Sequence, residues 1–192
     1  MNIQKLCTDI ATKEDGLEVI AILKKNNLWD NPKNWNLVGN NKDYNNHSII
    51  GSQQSNPANA LVEKLVNSGD SALMLQCLEK GIDPKSNEAP NNLKEAVETF
   101  FNVEDGRWID ADKNKKNQLA EKYCNLVVTG EKGSGANPTY TIIDSAEGQE
   151  PENFKKPFLS LTQKNKSGIS FVQGKFGMGS YGSVNFCKVD GL

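Results

Sequence analysis

The chain has 192 residues, 36% of them apolar, and a formal net charge of −2. That is enough for one ordinary domain with a real hydrophobic core, and it argues against a basic surface built to coat nucleic acid, a local patch aside. No run of about 18 apolar residues occurs, so no membrane span is expected, and the first residues lack the apolar stretch of a signal peptide. Cys7, Cys77, Cys124 and Cys187 are widely spaced with no C-x-x-C pair. They are expected to be reduced, mostly half-buried thiols of a cytoplasmic protein.

Residues 1–14 are polar and mixed and carry no assigned element. Asp15 precedes a segment in which Leu17, Ile20, Leu23 and Leu28 recur near helical spacing, which predicts a short amphipathic helix. Residues 31–57 are rich in Asn, poor in periodicity and too long for an ordinary connection. They form an arm that wraps the domain or moves freely, with Trp35, Tyr44, Ile49 and Ile50 as possible anchors. His47 is the only histidine; without Cys or Asp partners it reads as a surface or packing residue rather than a ligand.

From Asn56 to Gly81 one long helix is predicted. Asn56 caps its first turn, Pro57 suits its first position and Gly81 its stop. Leu61, Leu65, Leu73 and Leu78 supply its apolar surface. Glu63, Asn67 and Asp70 fall on neighbouring positions of one face. Acids and an amide beside a packable stripe are either a solvated face or a polar site at the edge of a core, able to hold a metal ion and a water. Residues 81–90 read as a loop, residues 91–101 as a helix with Leu93, Val97, Phe100 and Phe101 on its apolar side, and residues 102–114 as a connector. Residues 115–128 read as a further helix carrying Leu119, Tyr123 and Leu126.

After a turn-rich loop, Thr139 to Ile143 is rich in β-branched and aromatic residues and predicts a strand. Asp144, Ala146 and Gly148 follow at alternate positions. A carboxylate at a strand end before small residues makes a recess with an acceptor at its floor, suited to the exocyclic amine of a base; a plain strand end is the equal alternative. Residues 149–173 mix charge with the apolar anchors Phe154, Phe158, Leu159, Leu161, Ile169 and Phe171, show no continuous period, and include Lys164 and Lys166. The stretch GKFGMGSYGS follows, with Gly174, Gly177, Gly179 and Gly182. It is not a P-loop, because no G-K-[ST] ends it. Its glycines permit close approach of backbone amides to anionic oxygens, and a helix starting near Ser180 would add its N-terminal field.

Taken together, three stretches in order resemble the ATP-binding domain of the GHKL superfamily, shared by gyrase-type topoisomerases, Hsp90 chaperones, sensor histidine kinases and MutL repair proteins. EKLVNSGDS resembles its first box, DSAEG its second and GKFGMG its third. The resemblance runs from about residue 45 to residue 186 and favours the ATPase branches over the kinases. Ala146, where a glycine is usual, is a mild departure, as is Ser71 after Asp70.

The resemblance implies an α+β fold, a two-layer α/β sandwich of the Bergerat type. Residues 1–44 would form an N-terminal helical segment and arm. Residues 45–192 would form the front part of the nucleotide domain, with residues 149–173 as its lid. It implies ATP and Mg²⁺ as cofactors. Glu63 would be the catalytic base and Asn67 the metal ligand. Asp70, Asp144, Gly148, Lys164, Lys166, Gly174, Lys175, Phe176, Gly177, Met178 and Gly179 would contact nucleotide. It further implies homodimerisation through ATP-dependent closure. Because family members continue with further strands after the third box, the chain is expected to be the front of a larger protein, with little hydrolysis on its own. The whole is expected to be a prokaryotic defence, DNA-processing or chaperone-like ATPase, with nucleic acid a partner only through other domains. The alternative is a non-hydrolysing nucleotide-binding or interaction module.

Overall fold

The structure, a computed structural model, describes residues 2–35, 56–130, 133, 138–150, 152, 166–174, 182, 183 and 186. The Asn-rich arm from residue 36, with Tyr44, His47, Ile49 and Ile50, lies outside the described residues, as does Cys187. Within them the architecture is α+β in two layers: helices packed with a small antiparallel sheet.

Two short helices come first, α1 (Ile3–Ala11) and α2 (Gly16–Lys25). Asn2 caps α1 by accepting from the Lys5 N–H, and Asp15 caps α2 by accepting from the Leu17 N–H. The first of these corrects the expectation of an elementless residues 1–14. The cap, the Lys5–Asp9 pair at 2.8 Å and Ile3, Leu6, Cys7 and Ile10 at helical spacing support it, so the signal was present in the sequence. Neither helix buries a residue completely. Behind them Trp29 and Trp35 meet edge to face at 5.1 Å, and Trp35 Nε1–H donates to the Trp29 carbonyl at 2.7 Å.

The centre of the molecule is α3 (Pro57–Lys80), 24 residues long. Asn56 accepts from the Ala58 N–H, Pro57 occupies the first helical position, and Gly81 closes the helix in the left-handed conformation, as the local signals predict. Then come α4 (Leu93–Phe101) and α5 (Lys113–Tyr123), joined by two single 3₁₀ turns, Glu104–Gly106 and Trp108–Asp110. At Cys124 the chain turns into β1 (Cys124–Gly130), which pairs antiparallel with β2 (Pro138–Asp144). The single helix expected over 115–128 is therefore a helix and a strand. Leu119, Tyr123 and Leu126 fit helical spacing. The β-branched Val127, Val128 and Thr129, however, find cross-strand partners in Thr141, Tyr140 and Thr139, and pairing across the ladder outweighs a weak period.

α3 touches α4, α5, β1 and β2. Its Ala72, Leu73 and Cys77 enter a core completed by Ala96, Val97, Phe100 and Phe101 of α4, Val103, Tyr123, and Ile169, Phe171 and Val172 from the far end of the chain. Leu78, expected to add to the apolar surface, is 68% exposed; it directly follows the core residue Cys77, about 100° further round the helix. The end of the 149–173 segment is likewise core rather than cover. Phe171 is fully buried and meets Phe100 edge-on at 6.3 Å. Phe154, Phe158, Leu159 and Leu161 lie outside the described residues. Of the described cysteines, Cys7 is exposed, Cys77 buried and Cys124 intermediate; all three are free thiols.

Candidate functional site

The site is built on the middle of α3. Helical spacing carries Glu63, Asn67 and Asp70 along one face, but their surroundings differ. Glu63 and Asn67 are half-buried, whereas Asp70 is 2% exposed. A carboxylate so withdrawn from water needs compensation, and it has three donors. The Gln173 N–H reaches Oδ1 at 2.9 Å, the Gly174 N–H reaches Oδ2 at 2.8 Å, and Lys166 Nζ reaches Oδ2 at 3.1 Å. The first glycine of the third glycine-rich stretch is thus fastened to the first polar stretch.

The fit at that point is close. A Cβ on Gly174 would stand 2.7 Å from Asn67 Oδ1 and 3.1 Å from Asp70 Oδ2. Any larger residue would push the Asn67 amide aside or strain both hydrogen bonds, so the contact of backbone with side chain depends on glycine. Among the described residues the Asn67 side chain makes no hydrogen bond; its amide oxygen packs against Gly174.

The second stretch arrives through β2. Asp144 ends that strand opposite Cys124, at the point where α5 gives way to β1, and the Ser145 N–H is tied to the Tyr123 carbonyl at 3.2 Å. This sets Asp144 against α3, where Ser68 Oγ lies 3.1 Å from its Oδ2. Beyond it the chain turns. Gly148, exposed, has φ +68°, a left-handed conformation that a side chain would disfavour.

Two residues of the site were not singled out in the sequence. Ser68, 3% exposed, links the helix to Asp144. Its only sequence signal is its place next to Asn67, mid-helix, where a serine needs a reason. Glu147 is the other. The residue is exposed, but partial desolvation pushes its carboxyl above the ordinary carboxylate range, an effect the Lys166 ammonium opposes and the Asp144 carboxylate reinforces. A charged residue amid the small ones of DSAEG was the available hint.

The described geometry ties Lys166 and Gly174 to Asp70, with Asn67 against Gly174 and Glu63 one turn away. It separately ties Asp144 to Ser68, which at about 100° per residue faces a different side of the helix from Asp70. Gly148 sits in the turn after Asp144. Lys164, Lys175, Phe176, Gly177, Met178 and Gly179 lie outside the described residues. Among the described residues there is no group of three or more His, Cys, Asp or Glu able to hold a metal ion, and no helix is long and apolar enough to cross a membrane. Comparison with known proteins gives no match: no family model fits the chain, and no curated protein or solved structure is significantly similar to it.

Proposed function

We propose that this chain binds ATP with Mg²⁺ on the face of α3 between Glu63 and Asp70 and, in the whole protein, hydrolyses it. The observation that carries the reading is the convergence on one helix of three stretches distant in sequence. Asp70 holds Gly174 at 2.8 Å, and Ser68 holds Asp144 at 3.1 Å. The same convergence favours the Bergerat type of two-layer fold, and with it a cytoplasmic nucleotide-driven machine that pairs with a second copy on closure.

The described residues fit such a ligand. At Gly174 the backbone packs directly against Asn67 and Asp70, so closely that a Cβ would collide, and the amide oxygen of Asn67 is a neutral hard donor of the kind Mg²⁺ accepts alongside phosphate oxygens and water. A site that takes one protein ligand forms no cluster of acidic or imidazole side chains. When bound, ATP supplies the phosphoanhydride to be cleaved and Mg²⁺ the charge that steadies its phosphate oxygens.

The chain's own residues have distinct tasks. Asn67 holds the cation through its side-chain oxygen. Glu63, one turn earlier, orients a water and takes its proton on the carboxylate. Asp144 accepts a hydrogen bond from the exocyclic amine of adenine on the oxygen that Ser68 leaves free. Asp70, with both carboxylate oxygens engaged by Gln173, Gly174 and Lys166, serves by fixing the backbone of Gly174, the first residue of the glycine-rich stretch. Lys164, Lys175 and the glycines up to Gly179 are assigned to the phosphate side by the resemblance alone.

Calorimetric titration of the chain with ATP and Mg²⁺, paired with phosphate-release assays on the whole protein, tests the reading. Binding by the wild-type chain is expected. Glu63→Ala should retain binding and lower turnover by about 10²–10⁴-fold, the usual contribution of a positioned general base. A well-folded chain that takes up no ATP would overturn the proposal. Binding with no turnover in the whole wild-type protein would make it a nucleotide-binding module.

A further inference from the structure

Residues 166–174 form a short loop whose two ends converge on one side chain. Lys166 at its start and Gln173 and Gly174 at its end all donate to the Asp70 carboxylate. Its middle turns through Gly168, at φ +85°, and the Ile169 N–H closes back on the Lys166 carbonyl at 3.3 Å. Ile169, Phe171 and Val172 then plug the core. Apolar burial holds the loop down but does not fix its register, since neighbouring rotamers and small slides conserve buried area. The three bonds to Asp70 are directional and do fix it.

Of those donors only Lys166 brings a formal charge. Its side chain is itself largely covered, 23% exposed against 2% for Asp70. A buried carboxylate without its cation is costly even when amides remain. Lys166 also lies within the field of Glu147, so the same ammonium faces the turn after β2.

We infer that Lys166 is the positioning residue that sets the register of the 166–174 loop on α3 and thereby places Gly174 beside Asn67, so that its charge governs affinity for the phosphates of a nucleotide and leaves the reading of the base at Asp144 untouched. The second half of this inference rests on the nucleotide reading above; the first half does not.

The test has two arms, run on the full chain as wild type, Lys166→Met and Lys166→Arg. In the nucleotide-free chain, hydrogen exchange is followed at the Gln173 and Gly174 amides. Lys166→Met should speed exchange there by about tenfold or more, the scale of one charge-assisted hydrogen bond, while amides within α3 keep their rates. Lys166→Arg should restore most of the protection. In the second arm, ATP with Mg²⁺ and plain adenosine are titrated. Lys166→Met should weaken ATP by about tenfold and leave adenosine unchanged.

Unaltered protection at Gln173 and Gly174 in Lys166→Met overturns the inference, as does an arginine variant no better than methionine. If the wild-type chain binds neither ligand, the nucleotide reading fails while the exchange arm still decides the role of Lys166. Should Lys166→Met not fold, Lys166→Gln, which keeps a hydrogen-bond donor but no charge, takes its place. Faster exchange at the two amides than in wild type supports the inference, and unaltered exchange overturns it.

Discussion

Ser68 Oγ and Asp144 Oδ2 lie 3.1 Å apart although 76 residues separate them in the chain. The same hydroxyl is 3.2 Å from the Lys64 carbonyl one turn back. A serine has one proton to donate, so it serves either its own helix or the strand end. In the second state it fixes one oxygen of Asp144 and leaves the other free for a ligand.

It follows that Ser68 and Asp144 act together. Asp144→Asn should weaken ATP binding strongly, because it replaces an acceptor-only group by one that presents an amide N–H. Ser68→Ala should weaken binding less, because it removes a support of the acceptor rather than the acceptor itself, and should relax the preference for adenine over a purine without the exocyclic amine. Calorimetry with the two nucleotides on both variants checks this; an unchanged preference in Ser68→Ala would remove its role in base selection.

Phe171 is the fully buried aromatic of the loop that Asp70 fastens. Truncation to alanine should destabilise the fold by about 3–5 kcal/mol, read as a lower midpoint in urea unfolding with little change in slope. The exposed Leu78 provides the control, since Leu78→Ala on the same scale should have nearly no effect.

Glu147 predicts a pH dependence with a definite sign. Its carboxyl is held above its ordinary range, first by partial desolvation, which Lys166 opposes and Asp144 adds to; because the residue is exposed, the effect on stability is small. The folded state then binds the proton more tightly than the unfolded chain. The contribution to stability is present in full below the unfolded value and is lost as pH rises through the raised folded value. Glu147→Gln removes that decline. The variant should match wild type in acid and exceed it near neutrality, by denaturant unfolding at a series of pH values. A wild-type advantage at neutral pH would contradict the sign.

The cysteines separate by access. Cys7 is exposed, while the Cys77 thiol is fully covered and pushed above its ordinary value by burial first and by Glu147 second. Because the thiolate is the reactive form, iodoacetamide at neutral pH should label Cys7 quickly and Cys77 only once the chain is unfolded, as mapped by peptide mass spectrometry.

What the sequence made legible follows the range of the forces involved. α3 could be bounded because its signals are local: Asn56, Pro57 and Gly81 act within one turn of the ends they define. The change from helix to strand at Cys124 could not, because the case for β1 is made by Thr139, Tyr140 and Thr141 across the ladder. The site divides the same way. Glu63, Asn67 and Asp70 were visible as a helical face, since spacing alone aligns them. That Asp70 would be buried, and would be held by Gln173 and Gly174, depends on a chain segment more than 100 residues later. Ser68 and Glu147 escaped for the same reason, as neither departs from ordinary composition and only their neighbours in space give them work.

The placement of these contacts along α3 bears on how the protein comes apart. Helices lose their terminal turns first, but Glu63, Ser68 and Asp70 occupy the interior of a 24-residue helix, several turns from Lys80 and more than one from Pro57. Fraying at either end leaves them in place; they are lost when the 166–174 loop or the end of β2 lifts away, or when the middle of α3 opens. That opening would also expose Leu73, Cys77 and, through the 166–174 loop, Phe171. Once heating opens the middle of α3, the polar centre and the core should therefore be lost together.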